Sequence, residues 1–93
     1  MVTYRSSTQI VADLLSATQE SGQQGIRATP LLEKSNLSHS RMSSFLKSLT
    51  GSGLVNKIEY DGKNVFVITE KGRTYLEEYK KFTSLAGSFG LEL

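Results

Sequence analysis

The chain has 93 residues, a formal net charge of +2, one histidine and no cysteine. That length suits a single domain, residues 1–93, with a modest core. It excludes disulfides and thiolate metal sites, leaves no ordinary zinc ligand set, and gives no reason to expect a cofactor.

The N-terminal stretch "MVTYRSSTQIVADLL" holds no apolar run of the length that a signal peptide or a membrane span needs. A cytoplasmic protein without membrane contact is therefore expected. The first helix is predicted from Ser7 to Glu20. Ser6 and Gln9 have the spacing of a capping box. Ile10, Val11, Leu14, Leu15 and Thr18 form its buried stripe, and Gly22 ends it.

After "GQQG", Ile26 to Ala28 reads as a short extended segment. The second helix follows at once, with Thr29 as N-cap and Pro30 in the first helical position, where its missing N–H costs nothing. Leu31 and Leu32 face inward, and the helix ends near Ser35 or Asn36. Leu37 is a buried turn residue and Ser38 caps the third helix.

The third helix carries Met42, Phe45, Leu46 and Leu49 at core spacing. Its remaining positions are crowded with serine: Ser40, Ser43, Ser44 and Ser48. Serine is a mediocre helix former, because its hydroxyl competes for nearby backbone groups. That choice on an exposed face calls for a functional reason. "TGSG", residues 50–53, is expected to stop this helix.

The pattern then changes from helical to extended. "LVNKIEY" and "NVFVITE" are β-rich runs separated by "DGK", a hairpin signal. Phe66 and Ile68 are expected to face the core, with Val65 and Val67 on the other side. Ile58 and Tyr60 alternate with Lys57 and Glu59, which predicts one wet face on the first of these strands. Thr69 caps a last helix over 70–86, with Tyr75, Leu76, Tyr79, Phe82 and Ala86 on its apolar face. Arg73–Glu77 and Glu77–Lys81 stand at ion-pair spacing, and Gly87 and Gly90 are expected to break the helix.

The charge is distributed unevenly. Between Lys34 and Lys57 the bases are Lys34, Arg41, Lys47 and Lys57, with no Asp or Glu among them. An acid-free basic segment suits a polyanion. The order helix, short strand, helix, helix, hairpin, helix is that of a winged helix-turn-helix. The fold class is thus α+β: a three-helix core over about 6–69, a two- or three-stranded β-wing at 54–69, and a C-terminal dimerisation helix over about 70–86 with a tail at 87–93.

The stretch from Leu46 to Phe82 is similar to winged-helix proteins that end in "T-x-K-G-x-x-[YF]-L", here Thr69, Lys71, Gly72, Tyr75 and Leu76. It resembles most the small archaeal winged-helix DNA-binding proteins, which serve as transcription regulators and chromatin proteins. The resemblance implies a homodimer joined through the C-terminal helix, and a nucleoid-associated protein.

In this reading the third helix enters the major groove of double-stranded DNA. Its face presents Ser38, His39, Ser40, Arg41, Ser43, Ser44 and Lys47, with Arg41 as the guanine reader and Lys47 on a phosphate. Lys57, Lys63 and Asn64 of the wing track the backbone. Thr29, with Arg27, approaches phosphates at a helix N-terminus. Arg5 is a weaker phosphate contact. Tyr79, Phe82, Leu85 and Phe89, with Leu91 and Leu93, exceed the apolar surface that a small free-standing domain leaves open, so they are assigned to the dimer interface together with Leu76, which with Tyr75 also closes the domain's own core. No nucleophile, base and orienting carboxylate fall into a catalytic motif, so binding rather than catalysis is expected. The alternative is a winged helix used for protein–protein contact within a transcription or other assembly.

Overall fold

The computed structural model describes residues 6–90. The order is α1 (Ser7–Glu20), a 3-10 turn (Gly22–Gln24), β1 (Ile26–Arg27), α2 (Ala28–Ser35), α3 (His39–Gly51), β2 (Val55–Tyr60), β3 (Lys63–Ile68) and α4 (Glu70–Ser88). The α+β arrangement is the expected one, with a three-stranded wing. Arg5, Leu91 and Leu93 lie outside the described residues.

α1 is the central post of the core. Its capping box forms as predicted: the Gln9 N–H donates to Ser6 Oγ at 3.1 Å, and the Ser6 N–H donates to Gln9 Oε1 at 3.4 Å. Ile10, Leu14 and Leu15 are fully buried against Leu31 of α2, Met42, Leu46 and Leu49 of α3, and Leu76 of α4. Buried Thr18 satisfies its hydroxyl on the Leu14 carbonyl at 2.7 Å, so a polar side chain sits in the core at little cost.

The sheet is antiparallel in the order β1-β3-β2. Ile26 lies opposite Phe66, and Val55 lies opposite Ile68. These four residues are the sheet's contribution to the core. Two residues of β1 leave most of the wing without a third strand, and β2 is an edge.

Several boundaries differ from the sequence expectation. Thr29 is not the N-cap of α2: the helix begins at Ala28 behind an extended Arg27, so Thr29 and Pro30 sit within the first turn. Proline is tolerated there because N–H groups of the first turn have no partner within the helix. Thr50 and Gly51 stay helical, and Gly53, at φ +77°, makes the reversal. Ile58 and Tyr60 do not face inward. Val55 starts β2 pointing into the core, so Lys57 and Glu59 share its face while Ile58 and Tyr60 stand on the outer one, 46% and 73% exposed. Gly87 does not break α4, which runs through it to Ser88. A helical glycine costs only about 1 kcal/mol, and the helix stops at Gly90, where φ is +73°. The ion pair on α4 among the described residues is Lys81–Glu78 at 3.4 Å rather than either predicted pair.

One junction ties α3, the wing and α4 together. α3 ends in a Schellman motif: the Leu54 N–H donates to the Leu49 carbonyl at 3.0 Å and the Gly53 N–H to the Thr50 carbonyl at 3.2 Å. Thr69 then clamps this turn to the start of α4. Its backbone N–H donates to the Leu54 carbonyl at 3.1 Å, and its hydroxyl proton is shared between the carbonyls of Gly53 (2.6 Å) and Leu54 (3.0 Å). The same oxygen accepts the Gly72 N–H at 3.0 Å as the helix cap. Lys71 Nζ donates to the Ser52 carbonyl at 2.8 Å, placing a cation at the C-terminal end of α3. Gly72 is buried, and a Cβ there would run into the Leu54 carbonyl.

Gly72→Ala must therefore push α4 off the turn. It is expected to cost about 2–3 kcal/mol, read as a fall in Tm of about 10 °C or more in a thermal melt. Gly87→Ala, in the same helix with open space around it, should instead raise Tm by a few degrees.

Candidate nucleic-acid interface

The turn that sets α3 is short. Asn36 closes α2 in the left-handed region at φ +54°, a conformation that asparagine tolerates, and Leu37 packs partly against the core. Ser38 accepts the Arg41 N–H at 3.2 Å and so caps α3. Its oxygen is thereby engaged in holding the helix before any ligand is considered.

Beyond the cap, His39, Ser40, Arg41, Ser43, Ser44, Lys47 and Ser48 are all exposed, opposite buried Met42, Leu46 and Leu49. They do not form one uniform face. Residues spaced by four share a side of a helix. His39, Ser43 and Lys47 run along the flank nearest the wing; Ser40 and Ser44 occupy the crest. Arg41 stands on the far flank with half-buried Phe45, and its guanidinium carbon lies 6.0 Å from that ring's centroid. A contact of this kind, at an exposed site and at the edge of its range, is worth about 0.5–1 kcal/mol. Arg41 is held loosely and apart from the lysines.

The wing supplies the other wall. Lys57 lies opposite Phe66 in the ladder, and both point toward α3. Between them and α3 is an open cleft of about 590 Å³. Its floor is Met42, Leu46 and Phe66, and its rim carries His39, Lys47 and Lys57. Among the described residues no carboxylate lines it. Glu59, next on the inner face of β2, lies beyond the cleft toward the tip, opposite Asn64. Lys63 pairs with Tyr60 at the hairpin end, on the outer face. Lys57 and Lys63 thus occupy opposite faces of the wing, and Asn64 shares the inner face with Lys57. Thr29 and Arg27 are exposed near the start of α2.

The residues assigned to the C-terminal interface separate in the same way. Leu76 is 2% exposed and belongs to the subunit's own core, so it has no surface to offer a partner. This corrects its assignment to the dimer interface. Tyr79 is half-buried against the core. Its phenol is pushed above its ordinary value by burial, then by the charge of Asp13 and by Tyr75. Phe82 and Leu85, one turn apart on α4, and Phe89, the residue that caps its C-terminus, are largely exposed.

Sequence reading missed the cleft floor and the role of Lys71. The floor residues were visible only as core spacing, and Lys71 meets Ser52 across 19 positions of chain, which no local pattern reveals.

Comparison with known proteins agrees with this architecture. A family model described as winged helix-turn-helix matches residues 4–87. No curated protein sequence matches the chain. Among solved structures, the chain is similar to Sso10a-2, a DNA-binding protein from Sulfolobus solfataricus, with TM-score 0.77, 17% identity, and coverage of 91% of this chain and 85% of that one. It is also similar to SSV1 F-93, with TM-score 0.65, 21% identity, and coverage of 86% and 91%. A third neighbour is the transcriptional repressor CouR bound to a 23-mer DNA duplex, with TM-score 0.71, 19% identity, and coverage of 87% of this chain but 56% of that one. At these identities the likeness is one of fold.

The Ser38 cap gives a direct check on how α3 is held. Ser38→Ala should lose about 1 kcal/mol, seen as a Tm lower by about 4–8 °C, whereas Ser38→Asp, an equally good cap, should keep the parent Tm.

Proposed function

The chain belongs to the winged helix-turn-helix family, and from that premise we propose that it binds double-stranded DNA as a homodimer, acting as a transcription regulator or small chromatin protein associated with the nucleoid. The observation that carries this reading is the convergence of Lys47 on α3 and Lys57 on the wing across one acid-free cleft. Neither the net charge of +2 nor either element alone would mark the surface for a polyanion.

In this reading the crest of α3 enters the major groove. Ser40 and Ser44 are short, so the helix backbone approaches the base edges closely, and their hydroxyls donate or accept. His39, Ser43, Lys47, Lys57 and Asn64 follow one phosphate strand; Lys63 meets the backbone from the wing tip, and Thr29 and Arg27 lie beside the start of α2. Serine hydroxyls discriminate poorly between bases. Arg41, standing off the crest, reads a base only by leaving Phe45, so the face favours broad recognition over a strict operator. The neighbours include a DNA-binding protein and a repressor on its duplex, which supports the assignment.

The exposed stripe of Phe82, Leu85 and Phe89 is the proposed dimer contact. α4 spans 19 residues, about 28 Å, so its last turns are available to a second copy of the same helix. The exposed outer face of the wing, with Ile58 and Tyr60, favours the second reading, a protein-contact module.

Salt separates the two readings. With Lys47, Lys57 and Lys63 on phosphates in each protomer, duplex affinity by fluorescence anisotropy should fall about a thousandfold between 50 and 200 mM salt. Each Lys→Ala variant should flatten that slope. An absence of duplex binding at low salt would favour the protein-contact module. Light scattering should give twice the 10.3 kDa chain mass, and Phe82→Glu with Leu85→Glu should return the monomer. A parent chain that is already monomeric would remove the dimer from the proposal.

A further inference from the structure

We propose that the outer face of the wing is a docking groove for an extended peptide segment of a partner protein, one that carries two apolar residues at alternate positions and carboxylates beside them. The groove lies on the face of the sheet opposite the cleft, and the binding of the peptide does not rest on the DNA reading.

A close approach builds the groove. Gly25, at φ +73°, brings the 3-10 turn so near β3 that a Cβ there would run into the side chains of Val65 and Val67. Gln23 and Gln24 of that turn therefore form one wall. Ile58 and Tyr60 of β2 form the other, and half-buried Val65 and Val67 form the floor. The space between them is about 380 Å³. Ile58 and Tyr60 are among the large apolar side chains that the fold leaves exposed. An apolar groove left open to water on a small domain marks a partner surface.

The chemistry of the groove selects its occupant. Val65 and Val67 stand two residues apart, about 7 Å, which is the spacing at which an extended chain presents side chains to one side. The exposed Gln23 and Gln24 amides both donate and accept, as the backbone of such a chain requires. The charge on this face has one sign. Arg27 stands opposite Val65, and Lys63 opposite Tyr60, so both project on the groove's side of the sheet. No strand residue on that face is Asp or Glu. Both cations lie toward the hairpin end, so carboxylates that follow two apolar side chains meet them once the valines are covered. A second copy of the chain would set Arg27 and Lys63 against cations of the same face. A nucleic-acid single strand stacks on successive rings, and Tyr60 is the one aromatic residue among the strand residues of this face.

The test uses the full chain with its valine methyl groups labelled, titrated without DNA with a fluorescein-labelled peptide, Glu-Glu-Ser-Leu-Ser-Leu-Ser-Glu-Glu, which reads alike in both directions. Its anisotropy should saturate, and the Val65 and Val67 methyl signals should shift with the same midpoint. A peptide with serine for both leucines, and one with lysine for all four glutamates, should each bind about tenfold more weakly. Ile58→Thr with Tyr60→Thr, exposed and still β-branched, should stay folded and weaken the peptide about tenfold. That variant changes no charge at neutral pH, so it separates the groove from a general attraction of acid to the lysines of α3. Arg27→Gln with Lys63→Gln should weaken the peptide by a similar factor. No saturation, or saturation with Val65 and Val67 unmoved, overturns the groove. Full affinity in the threonine variant overturns the apolar contact, and equal affinity for the lysine peptide overturns the acidic occupant. Oligothymidine that shifts the two valines at lower concentration than the peptide overturns the peptide assignment in favour of a single strand. Valine shifts that depend on protein concentration alone overturn it in favour of a second copy.

Discussion

The close approach of Gly72 to the Leu54 carbonyl is the contact around which the rest of the structure is arranged. It brings the start of α4 against the turn that leaves α3. At that point Thr69 bonds the Gly53 and Leu54 carbonyls, and Lys71 reaches the carbonyl of Ser52. The C-terminus of α3, the root of the wing and the root of α4 therefore meet at one small node. The angle of α3 to the sheet and the direction of α4 are both fixed there. The residues of the "T-x-K-G" signature each contribute something different. Thr69 is a cap and a double clamp, Lys71 is a cation on a helix end, and Gly72 leaves out a side chain where two backbones touch.

From that node the placement of the candidate surface follows by geometry. Val55 must point inward to pack against Ile68 and α1, and strand alternation then aims Lys57 toward α3 and Ile58 outward. A lysine on the inward face of an edge strand also discourages edge-to-edge pairing with another chain. Here it faces Lys47 over an apolar floor as well. The surface is basic because of where two side chains are brought, and the net charge of the chain hides this. The serine-rich crest beside them keeps the helix low and uncharged. Its propensity penalty, a few tenths of a kcal/mol per residue, is small against the core packing that holds α3 through Met42, Leu46 and Leu49.

Much of this was legible in the sequence, because it is local. The capping box at Ser6 and Gln9, the cap at Ser38, the hairpin at Asp61-Gly62 and the inward placement of Phe66 and Ile68 all depend on residues within a few positions of one another. What the sequence concealed was non-local or decided by small margins. Ile58 and Tyr60 alternate as core residues do. Only the inward start of β2 at Val55, opposite Ile68, decides that alternation turns them to the outer face. Gly87 has the character of a helix breaker, yet its cost is too small to stop α4 on its own. Leu76 belongs to the same apolar stripe as Phe82 and Leu85, and only its depth in the fold separates a core residue from an exposed one. The cleft was invisible because its floor and rim come from helices and strands that a linear pattern treats separately.

The proposal stands or falls on whether α3 and the inner face of the wing form one polyanion-binding surface, with α4 reserved for a second copy of the chain. Amide chemical-shift mapping of the isotope-labelled protein against a short duplex decides this. Perturbations should concentrate at His39, Ser40, Ser43, Ser44 and Lys47 and continue through Lys57 and the hairpin tip, with Phe82 to Phe89 unmoved. Perturbations confined to α4 or to the outer face at Ile58 and Val67, or none at low salt, would contradict it.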